Sequence, residues 1–557
     1  MNRKMFVAVL AVLLIVSIAA CKGKSASGTG KKGSLADGKV TFSVFIGGLS
    51  NLVSSYDYKD NSFTKRITDE TGINLNFTAT SDADFNEKLN LLLGSGDYPD
   101  LIFVRENKIN LNDMTYYASQ GTFIPLDEYD PLSYPNIAKA FQAYPALNEK
   151  LRGPDGKLYG LPQVNDCLHC ISSGGRGWYY MPFIRDNKLK RPETLDEFTG
   201  YLRYVRDNDV NGNGDKNDEI PLAFSKNDLK AMVAAIAKAY MPFIMTDDYF
   251  GLSLDNKKVV EQYRDPQFKE ALQYMNSLYR EKLIAPNSFS MNKDQLWALA
   301  DNADPILAVS MSNWSGDVAR QGSERWLEYL HLLPLIGKNG KRYSPNKDPW
   351  SILYSGMFIT NKCKDPKLAI ALYDYLLDFD HELHGYIGAK GLAWTDPDPG
   401  TKSLMGGESI YKLLVTFSAQ PVNGSWNQNN PMVRDSRFRL GEQANQVEEA
   451  LRWIETGEPA LRDIMLKNSS YNEIYNYYYA QDQLQWPIPT EHFIPPIAMD
   501  DADNARVADI NAVLNPFKEQ VIVEFITGAR DFNNGWNTYL AELDRLGSKD
   551  LVTILQK

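Results

Sequence analysis

The fold is decided by the stretch that begins Val40-Thr41-Phe42-Ser43-Val44-Phe45-Ile46, where apolar residues alternate as in a buried strand. A helical pattern over 62–72 stops at a glycine, and residues 73–77 alternate again as a second strand. A striped helix from residue 84 leads to the apolar run 101–104. This strand–helix–strand–helix–strand order predicts a parallel α/β sheet. Ligands of such sheets bind beyond the carboxyl ends of the strands, so the loops after the first and third strands are candidate binding loops.

The length of the chain implies more than one domain. It has 557 residues, of which 43% are hydrophobic and 23% are charged, an ordinary globular balance. Because a single core rarely grows to that size, we expect at least two lobes. The net charge of −11 argues against a nucleic-acid partner, since nucleic-acid-binding surfaces are basic.

The amino terminus carries a targeting signal. Residues 1–20 combine Arg3 and Lys4 with an apolar run of signal-peptide length, and they end in Ile18-Ala19-Ala20 before Cys21. Small residues before a cysteine resemble the bacterial lipobox, which implies lipidation of Cys21. The alternative is an ordinary secretory signal with an incidental cysteine. Residues 21–38 are rich in Gly, Ser and Lys and predict a flexible tether. We therefore expect a lipid-anchored protein at the cell membrane, facing the extracellular or periplasmic side.

Residues 207–221 form the densest cluster of oxygen ligands in the chain. Nine of these residues carry side-chain carbonyl or carboxylate oxygens, and two glycines permit sharp turns. Calcium takes six to eight oxygen ligands from alternate positions of such loops. One ligand register starts at Asp207, and another starts at Asp209. The second uses Asp209, Asn211, Asn213, the Asp215 carbonyl and Glu219, with Asp218 nearby. A solvated polar turn without metal is the alternative.

Three cysteines remain after Cys21, namely Cys167, Cys170 and Cys363. Their spacing matches no standard zinc frame. A disulfide suits an exported protein, and free thiols are the other interpretation.

Several segments together resemble the extracellular solute-binding proteins of ABC importers. Their order and spacing carry the resemblance, which covers nearly all of 40–557. The segments are Thr71-Gly72-Ile73, Leu89 to Gly96, Asp97-Tyr98-Pro99-Asp100-Leu101, Gly121 to Asp127 and Asp155 to Pro162. The helix start Arg191 to Phe198, followed by the oxygen-rich loop, is similar to the LplA-like and alginate-binding lipoproteins. In that branch the loop binds calcium structurally, in the register from Asp209.

The resemblance implies a two-lobe, type II periplasmic-binding-protein-like α/β fold with a hinge and an interlobe ligand cleft. We expect an amino-terminal lobe of 39–162 and 308–361 and a carboxy-terminal lobe of 163–307 and 362–557. The chain is then expected to cross between lobes near Leu161-Pro162, Ala308 and Asn361. The implied partners are ABC permease subunits in the membrane, and the protein is expected to be a monomer.

Aromatic residues near the expected loops are candidates for ligand contact. Sugar rings pack their C–H faces on aromatic rings, while their hydroxyls need polar partners. For each of these residues, packing in the core is an equally good interpretation. The aromatic candidates are Tyr98, Trp178, Tyr179, Trp314, Trp394 and Trp426, and the polar candidates are Arg105, Arg176 and Asn313.

The sequence favours a binding protein over an enzyme. It has no Gly-x-Ser-x-Gly elbow and no phosphate loop, and His381 and His384 read as surface helix histidines. A glycosidase pair of carboxylates remains an alternative. We expect a substrate-binding lipoprotein of an ABC importer that captures an oligosaccharide. The other hypotheses are a receptor for a peptide or other small solute, and a surface lipoprotein that tethers polysaccharide without an importer.

Overall fold

The computed structural model describes most of the chain after residue 33. The described ranges are 34–36, 40–48, 57–81, 84–166, 175–243, 251–320, 323–344, 350, 352–415, 421–434, 441–468, 471–497 and 499–557. Cys21, Cys167, Cys170 and the loop after the first strand lie outside them.

The strands of the described residues form a six-stranded sheet, a four-stranded sheet and two small pairs. They are β1 (Val40–Gly48), β2 (Ile73–Ser81), β3 (Leu101–Phe103), β4 (Gly160–Asn165), β5 (Arg176–Tyr180), β6 (Ile220–Ala223), β7 (Leu252–Asp255), β8 (Lys258–Glu261), β9 (Leu307–Ser312), β10 (Tyr329–Leu332), β11 (Leu353–Ile359), β12 (Trp394–Thr395), β13 (Lys412–Leu413) and β14 (Val433–Arg434).

Helices cover both sheets. They are α1 (Ser62–Thr71), α2 (Phe85–Ser95), α3 (Leu111–Ser119), α4 (Pro135–Ala143), α5 (Leu147–Leu151), α6 (Met181–Asp186), α7 (Leu195–Asp207), α8 (Leu229–Ala237), α9 (Pro266–Arg280), α10 (Lys293–Ala300), α11 (Ser315–Val318), α12 (Glu324–Glu328), α13 (Pro366–Leu376), α14 (Phe379–Ile387), α15 (Val447–Thr456), α16 (Arg462–Lys467), α17 (Tyr471–Gln483), α18 (Asp501–Thr527), α19 (Gly535–Arg545) and α20 (Ser548–Leu555).

The first sheet confirms the α/β prediction. Its order is β14-β4-β11-β3-β1-β2, with β1, β2 and β3 parallel as expected from the sequence. Strand β4 runs parallel to β14, and β11 is antiparallel to both of its neighbours, β3 and β4. The parallel strands therefore share one carboxyl edge, at which β11 begins.

Two of three local capping signals in the sequence begin or end helices as predicted. Asn61 caps α1 by accepting from the backbone N–H of Phe63, and Gly72 closes the helix with a φ of 75°. Glycine adopts that left-handed conformation without strain. Thr194 and Glu197 likewise form the predicted capping box of α7. The similar pattern at Asp84 does not form, since its side chain makes no capping hydrogen bond.

The second sheet has the order β10-β5-β9-β6. Strand β6 is parallel to β9, whereas β5 is antiparallel to both β9 and β10. A separate hydrophobic cluster encloses this sheet and draws on residues 178–335 and 450–555. The two faces of the first sheet carry their own clusters, formed by residues 36–164, 353–377 and Trp426. The chain therefore folds into two bodies with separate cores.

The division between the bodies differs from the expected one. The sequence predicts 308–361 in the amino-terminal lobe, but β9 pairs with β5 and β6 in the second sheet. The prediction also assigns 362–434 to the second lobe, yet α13 and Trp426 pack in the core of the first. The apolar run of β9 fits either sheet, so only strand pairing decides its place.

The crossings also differ from the expected positions. The chain leaves the first sheet after Asn165, returns between Leu332 and Leu353, and leaves again before Val447. The first crossing lies close to the expected Leu161-Pro162, whereas Ala308 and Asn361 lie inside the bodies. All three crossings start or end at the carboxyl edge of the first sheet, so the chain connects the two bodies on that side.

Two further features concern the membrane and the thiols. In the part of the chain that the structure describes, no helix has the length and apolar character needed to span a membrane.

Cys363 is a buried free thiol, and burial raises its pKa to about 11.

A partly exposed ion cluster joins α1 to α14 next to two buried histidines. Arg66 donates to Glu70 at 2.8 Å and to Asp380 at 2.6 Å. His381 and His384 are 4% and 5% exposed, so the interpretation as surface histidines is wrong. Burial, reinforced by the charge of Arg66, lowers the pKa of His384 to about 4.

We expect this histidine to make the protein less stable in mild acid. The unfolded chain takes up a proton near pH 6.5, whereas the folded state resists it down to about pH 4. Stability from this source is therefore present above pH 6.5 and is lost as pH falls. Between pH 7 and pH 5 the loss is roughly 2 kcal/mol. Urea unfolding at both pH values should show a smaller difference for His384→Gln, and an equal difference would contradict the prediction.

Candidate ligand site and oxygen-rich loop

The carboxyl edges of the two sheets define the candidate ligand site. Strands β6 and β9 of the second sheet end at Ala223 and Ser312, and β5 begins at that same edge with Arg176. The corresponding edge of the first sheet lies where β3 and β4 end. Ligands of α/β sheets bind at such edges.

An aromatic and charged cluster follows β9 and β6 in the second body. The ring of Trp314 lies over Gly316, where a Cβ atom would meet it at 2.3 Å. Trp297 donates from Nε1 to the carbonyl of Gly316 at 3.0 Å. Lys293 Nζ lies 5.0 Å from the ring centroid of Trp297 and 6.0 Å from that of Trp314, and it is paired with Asp317. Both tryptophans are partly exposed.

A buried carboxyl group supports this cluster. Asp228 is 8% exposed and accepts a hydrogen bond from Ser225, just after β6. Burial raises its pKa to about 7, and the negative charge of Asp317 acts in the same direction. Burial therefore favours the protonated form of Asp228, and the ion pair of this cluster is formed by Lys293 and Asp317.

The amino end of β5 adds two of the predicted residues. Arg176 is 3% exposed, and its guanidinium carbon lies 4.7 Å above the ring of Tyr479. The exposed Asn313 accepts from the backbone N–H of Gly175 at 3.0 Å. Strand pairing thus brings Arg176, Asn313 and Trp314 together from distant parts of the sequence.

The side-chain amide of Gln163 bridges two segments at the matching edge of the first sheet. Gln163 accepts from the backbone N–H of Glu106 at 3.1 Å and donates to the carbonyl of Asn430 at 3.4 Å. Arg105 follows β3 and lies 3.6 Å from the Glu106 carboxylate, with 15% of its side chain exposed. Arg105 is therefore at the expected edge.

The other predicted ligand residues lie away from these edges. Tyr98 precedes β3 at the opposite edge, where it donates to Asn361 at 3.0 Å. Trp178 and Tyr179 are 0% and 1% exposed inside the second body. Trp394 is 2% exposed and belongs to the small cluster around β12 and β13.

Trp426 belongs to the core of the first body. It is fully buried, and it donates from Nε1 to the hydroxyl of Thr64 at 2.9 Å. Its ring meets Phe63, Phe77 and Phe103 edge-on. For these buried tryptophans, the core-packing interpretation fits the structure.

A surface cavity of about 330 Å³ lies elsewhere on the first body, between β2 and α2. Residues of this body alone line it, Thr80, Lys88 and Leu91 among them. A ligand there would not contact the second body, so we place the candidate site at the carboxyl edges instead.

The oxygen-rich loop folds around Asp209. Its carboxylate accepts from the backbone N–H groups of Gly212 at 2.7 Å, Asn213 at 3.2 Å and Gly214 at 2.8 Å. The side-chain oxygen of Asn211 accepts from Asn213 N–H, and that of Asn213 accepts from Asp215 N–H. Positive φ angles at Gly212 and Gly214 permit these turns. The carboxylate of Asp207 is instead exposed and paired with Arg206.

The loop also holds two buried oxygens that fit a cation. Asp218 Oδ1 and Glu219 Oε2 are buried without hydrogen-bond partners. Burial raises the pKa of Glu219, and the nearby Asp218 charge adds to the effect. A cation would offset the cost of burying these carboxylates. Among the residues described, no three His, Cys, Asp or Glu side chains form a metal-ligand group by themselves. Asn213 and the Asp215 carbonyl would have to supply further ligands.

The loop lies at the edge opposite the candidate ligand site. It precedes β6, and Asn211 donates to the carbonyl of Pro305, two residues before β9. The side chain of Asn187 donates to the carbonyl of Val210 from a third segment. The position of the loop indicates a structural role in holding α7, β6 and β9 together.

Sequence reasoning missed Lys293, Trp297, Asp317, Asp228, Gln163 and the amides after Trp426. One signal was available, because the Asn292–Gln295 capping box marks the start of α10. Lys293 and Trp297, four residues apart, then share one face of that helix. The amide run after Trp426 had no comparable signal.

Curated relatives that match the chain include two from Bacillus subtilis and one from Streptococcus pneumoniae. The Streptococcus pneumoniae fructooligosaccharide ABC transporter substrate-binding protein FusA is 22% identical over 91% of this chain and 88% of its own length. Lipoprotein LipO of Bacillus subtilis is 23% identical over 59% of this chain and 62% of its own. The polygalacturonan/rhamnogalacturonan-binding protein YtcQ of Bacillus subtilis is 29% identical over 51% and 52%, respectively.

Solved structures share the fold. FusA of Streptococcus pneumoniae in complex with kestose superposes with a TM-score of 0.71 at 20% identity, covering 93% of this chain and 98% of that one. An EF-hand mutant of FusA in complex with fructo-nystose superposes with a TM-score of 0.69 at 20% identity and the same coverage. The family model of the bacterial extracellular solute-binding proteins matches residues 54–378, more than half of the chain. The protein therefore has their two-lobe fold and belongs to the bacterial extracellular solute-binding proteins.

Proposed function

We propose that this protein is the substrate-binding lipoprotein of an ABC importer and captures an oligosaccharide between its lobes. The observation that carries the proposal is the pairing of partly exposed Trp314 and Trp297 with polar groups at the carboxyl edge. The relatives FusA and YtcQ are named for carbohydrate ligands, which supports the same class of ligand here. The protein acts as a monomer and delivers the ligand to permease subunits in the membrane.

The chemistry of the edge suits a sugar. Pyranose and furanose rings place C–H groups on an aromatic face, and their hydroxyls need donors and acceptors around the rim. Trp314 and Trp297 supply the faces, while Lys293, Asp317 and Asn313 supply the polar rim. Amides of the first body complete the polar lining when the lobes close.

The first body contains a Ser–His contact that resembles part of a hydrolase active site, but its surroundings do not suit catalysis. Ser62 Oγ lies 3.1 Å from His384 Nε2, as in a nucleophile–base pair. However, Nδ1 of the same ring lies 3.4 Å from the Arg66 guanidinium instead of a carboxylate. A cation there disfavours the protonated imidazole that a general base must become. This pair therefore supports packing rather than hydrolysis.

Removing an aromatic face should weaken sugar binding. We expect Trp314→Ala to lower affinity roughly tenfold to a hundredfold, because a stacked sugar loses its contact area. A thermal-shift screen with oligosaccharides and peptides identifies the ligand, and isothermal titration then measures affinity. The matched control is Trp426→Phe, which should lower the melting temperature and leave affinity unchanged. Binding of peptides but not sugars would contradict the proposed ligand class.

The same titration tests lobe closure by small-angle scattering. Ligand drives closure only if it contacts the closed form better than the open one. We expect the radius of gyration to fall at saturating ligand, and to fall less for Trp314→Ala at equal ligand concentration. An unchanged radius would favour a rigid groove that captures polysaccharide without an importer.

Calcium is the cation that we propose for the oxygen-rich loop. Asp209, Asn211, Asn213, the Asp215 carbonyl, Asp218 and Glu219 would hold it. When bound, the ion supplies positive charge that offsets the buried carboxylates and links α7 to β6. The EF-hand named in the FusA structure supports this assignment.

Chelation should lower the melting temperature without abolishing ligand binding. A ligand of the folded state adds about 2.7 kcal/mol at a hundredfold excess over its dissociation constant. Asp209→Ala should remove the response to calcium in differential scanning calorimetry. Asp207→Ala is the matched control and should retain it, because that carboxylate is paired with Arg206. Loss of the response in the control instead would place the ion in the other register.

Lipidation at Cys21 is the proposed anchor. The residue lies outside the described part of the chain, and the named lipoprotein LipO supports the assignment. We expect Cys21→Ala to release the protein from the membrane fraction of expressing cells. Cys363→Ala, at a buried thiol, should leave it attached. Firm attachment of Cys21→Ala would count against a lipid anchor.

A further inference from the structure

Two neighbouring asparagines of the first body have buried side chains without hydrogen-bond partners. Asn429 is 4% exposed and Asn430 is fully buried. Nδ2 of Asn429 and both Nδ2 and Oδ1 of Asn430 have no partner, whereas the backbone N–H groups of both residues are bonded. Nearby Asn61 shows the usual situation, since it accepts from Phe63 N–H and donates to Ser425.

The two amides lie at the carboxyl edge of the first sheet. The side chain of Asn429 lies 3.8 Å from the position of a Cβ on Gly47, the second-last residue of β1. The carbonyl of Asn430 accepts from Gln163, whose side chain also binds Glu106 after β3. Asn430 packs closely on Gly385, where a Cβ would lie 2.3 Å from its side chain. The pair is thus fixed where β1, β3 and β4 end.

Unpartnered buried amides are costly. Each one sacrifices hydrogen bonds to water that the unfolded chain makes, at about 1–3 kcal/mol. Most buried polar groups in proteins are therefore paired, and an exception calls for an explanation. A bound ligand that supplies the missing partners is such an explanation at a ligand-binding edge.

We propose that Asn429 and Asn430 hydrogen-bond neighbouring hydroxyl groups of the bound carbohydrate and decide which hydroxyl pattern the first lobe accepts. This inference rests on the proposed function. An amide both donates and accepts, and so does each sugar hydroxyl, which makes the two groups complementary. The second body then supplies aromatic faces and the first body supplies hydroxyl recognition.

The proposal implies discrimination against deoxy sugars. A site built to hydrogen-bond a hydroxyl rejects an analogue that lacks it more strongly than an apolar pocket rejects an extra methylene, because its own polar groups are left unpaired. The affinity difference between a sugar and its deoxy analogue should therefore shrink when the amides are removed.

The test compares Asn429→Leu and Asn430→Leu with the wild-type full chain. Leucine has nearly the shape of asparagine and removes the unpaired amide. Kestose, nystose and trigalacturonic acid serve as probes in isothermal titration, and calorimetry without ligand gives the melting temperature. Failure of the wild type to bind any carbohydrate probe would defeat the proposed function itself.

For a probe that binds the wild type, we expect each leucine variant to lose at least tenfold in affinity. Without ligand, its melting temperature should be equal to or higher than that of the wild type. Asn361→Leu is the matched control at the opposite edge, where the amide accepts from Tyr98 and donates to Gly121. It should show the reverse pattern, with a lower melting temperature and unchanged affinity.

Two results would overturn the inference. One is affinity within twofold of wild type in both leucine variants. The other is a drop in their melting temperature as large as that of the control, which would show that the amides already have partners inside the protein. If a leucine variant does not fold, Asn429→Asp keeps the shape and removes the donor, and unchanged affinity in that variant would also overturn it.

Discussion

Strand β11 lies between β3 and β4, and the arrangement of the whole molecule depends on this insertion. Its residues pair antiparallel with Leu101–Phe103 on one side and with 160–164 on the other. The strand reaches that position only after the chain has built the second sheet and returned. The first sheet is therefore completed by a segment that follows the second one, so neither body is a continuous stretch of sequence.

This insertion also fixes where the functional edges lie. Strand β11 begins at the carboxyl edge and the parallel strands β4 and β14 end there, so each crossing starts or ends at that edge. The amides of the first body lie at this edge, next to the segments that connect the bodies. The aromatic and charged cluster of the second body lies at the carboxyl ends of its own strands, β6 and β9. Few segments join the bodies, so relative motion about them is the expected behaviour of the fold.

Both candidate sites contain buried polar atoms without hydrogen-bond partners, as do some other buried side chains of the described residues, Tyr201 and Ser310 among them. The oxygen-rich loop carries two buried carboxylate oxygens without partners, and the amide pair carries three unpaired atoms. By contrast, the buried carboxylate of Asp374 accepts from the backbone N–H groups of both Asn136 and Ile137. Polar groups that lose solvation without gaining a partner destabilise the folded state. A cation would supply the missing partner in the oxygen-rich loop, and a hydroxyl-rich ligand would supply it at the amide pair.

The sequence by itself determined the elements of this protein. Alternation in 40–46, the glycine stop at residue 72, the capping box at Thr194 and the oxygen spacing of 207–221 are all local, so they could be read directly. It also determined the family and, through it, the two-lobe class. Only the tertiary structure decided three further points. Strand β9 belongs to the second sheet, Trp426 packs in the core of the first body, and Arg176 lies at the same edge of the second sheet as Trp314. Those outcomes depend on pairing between strands far apart in the chain, and an apolar strand or a tryptophan carries no local mark of the partner that will bury it.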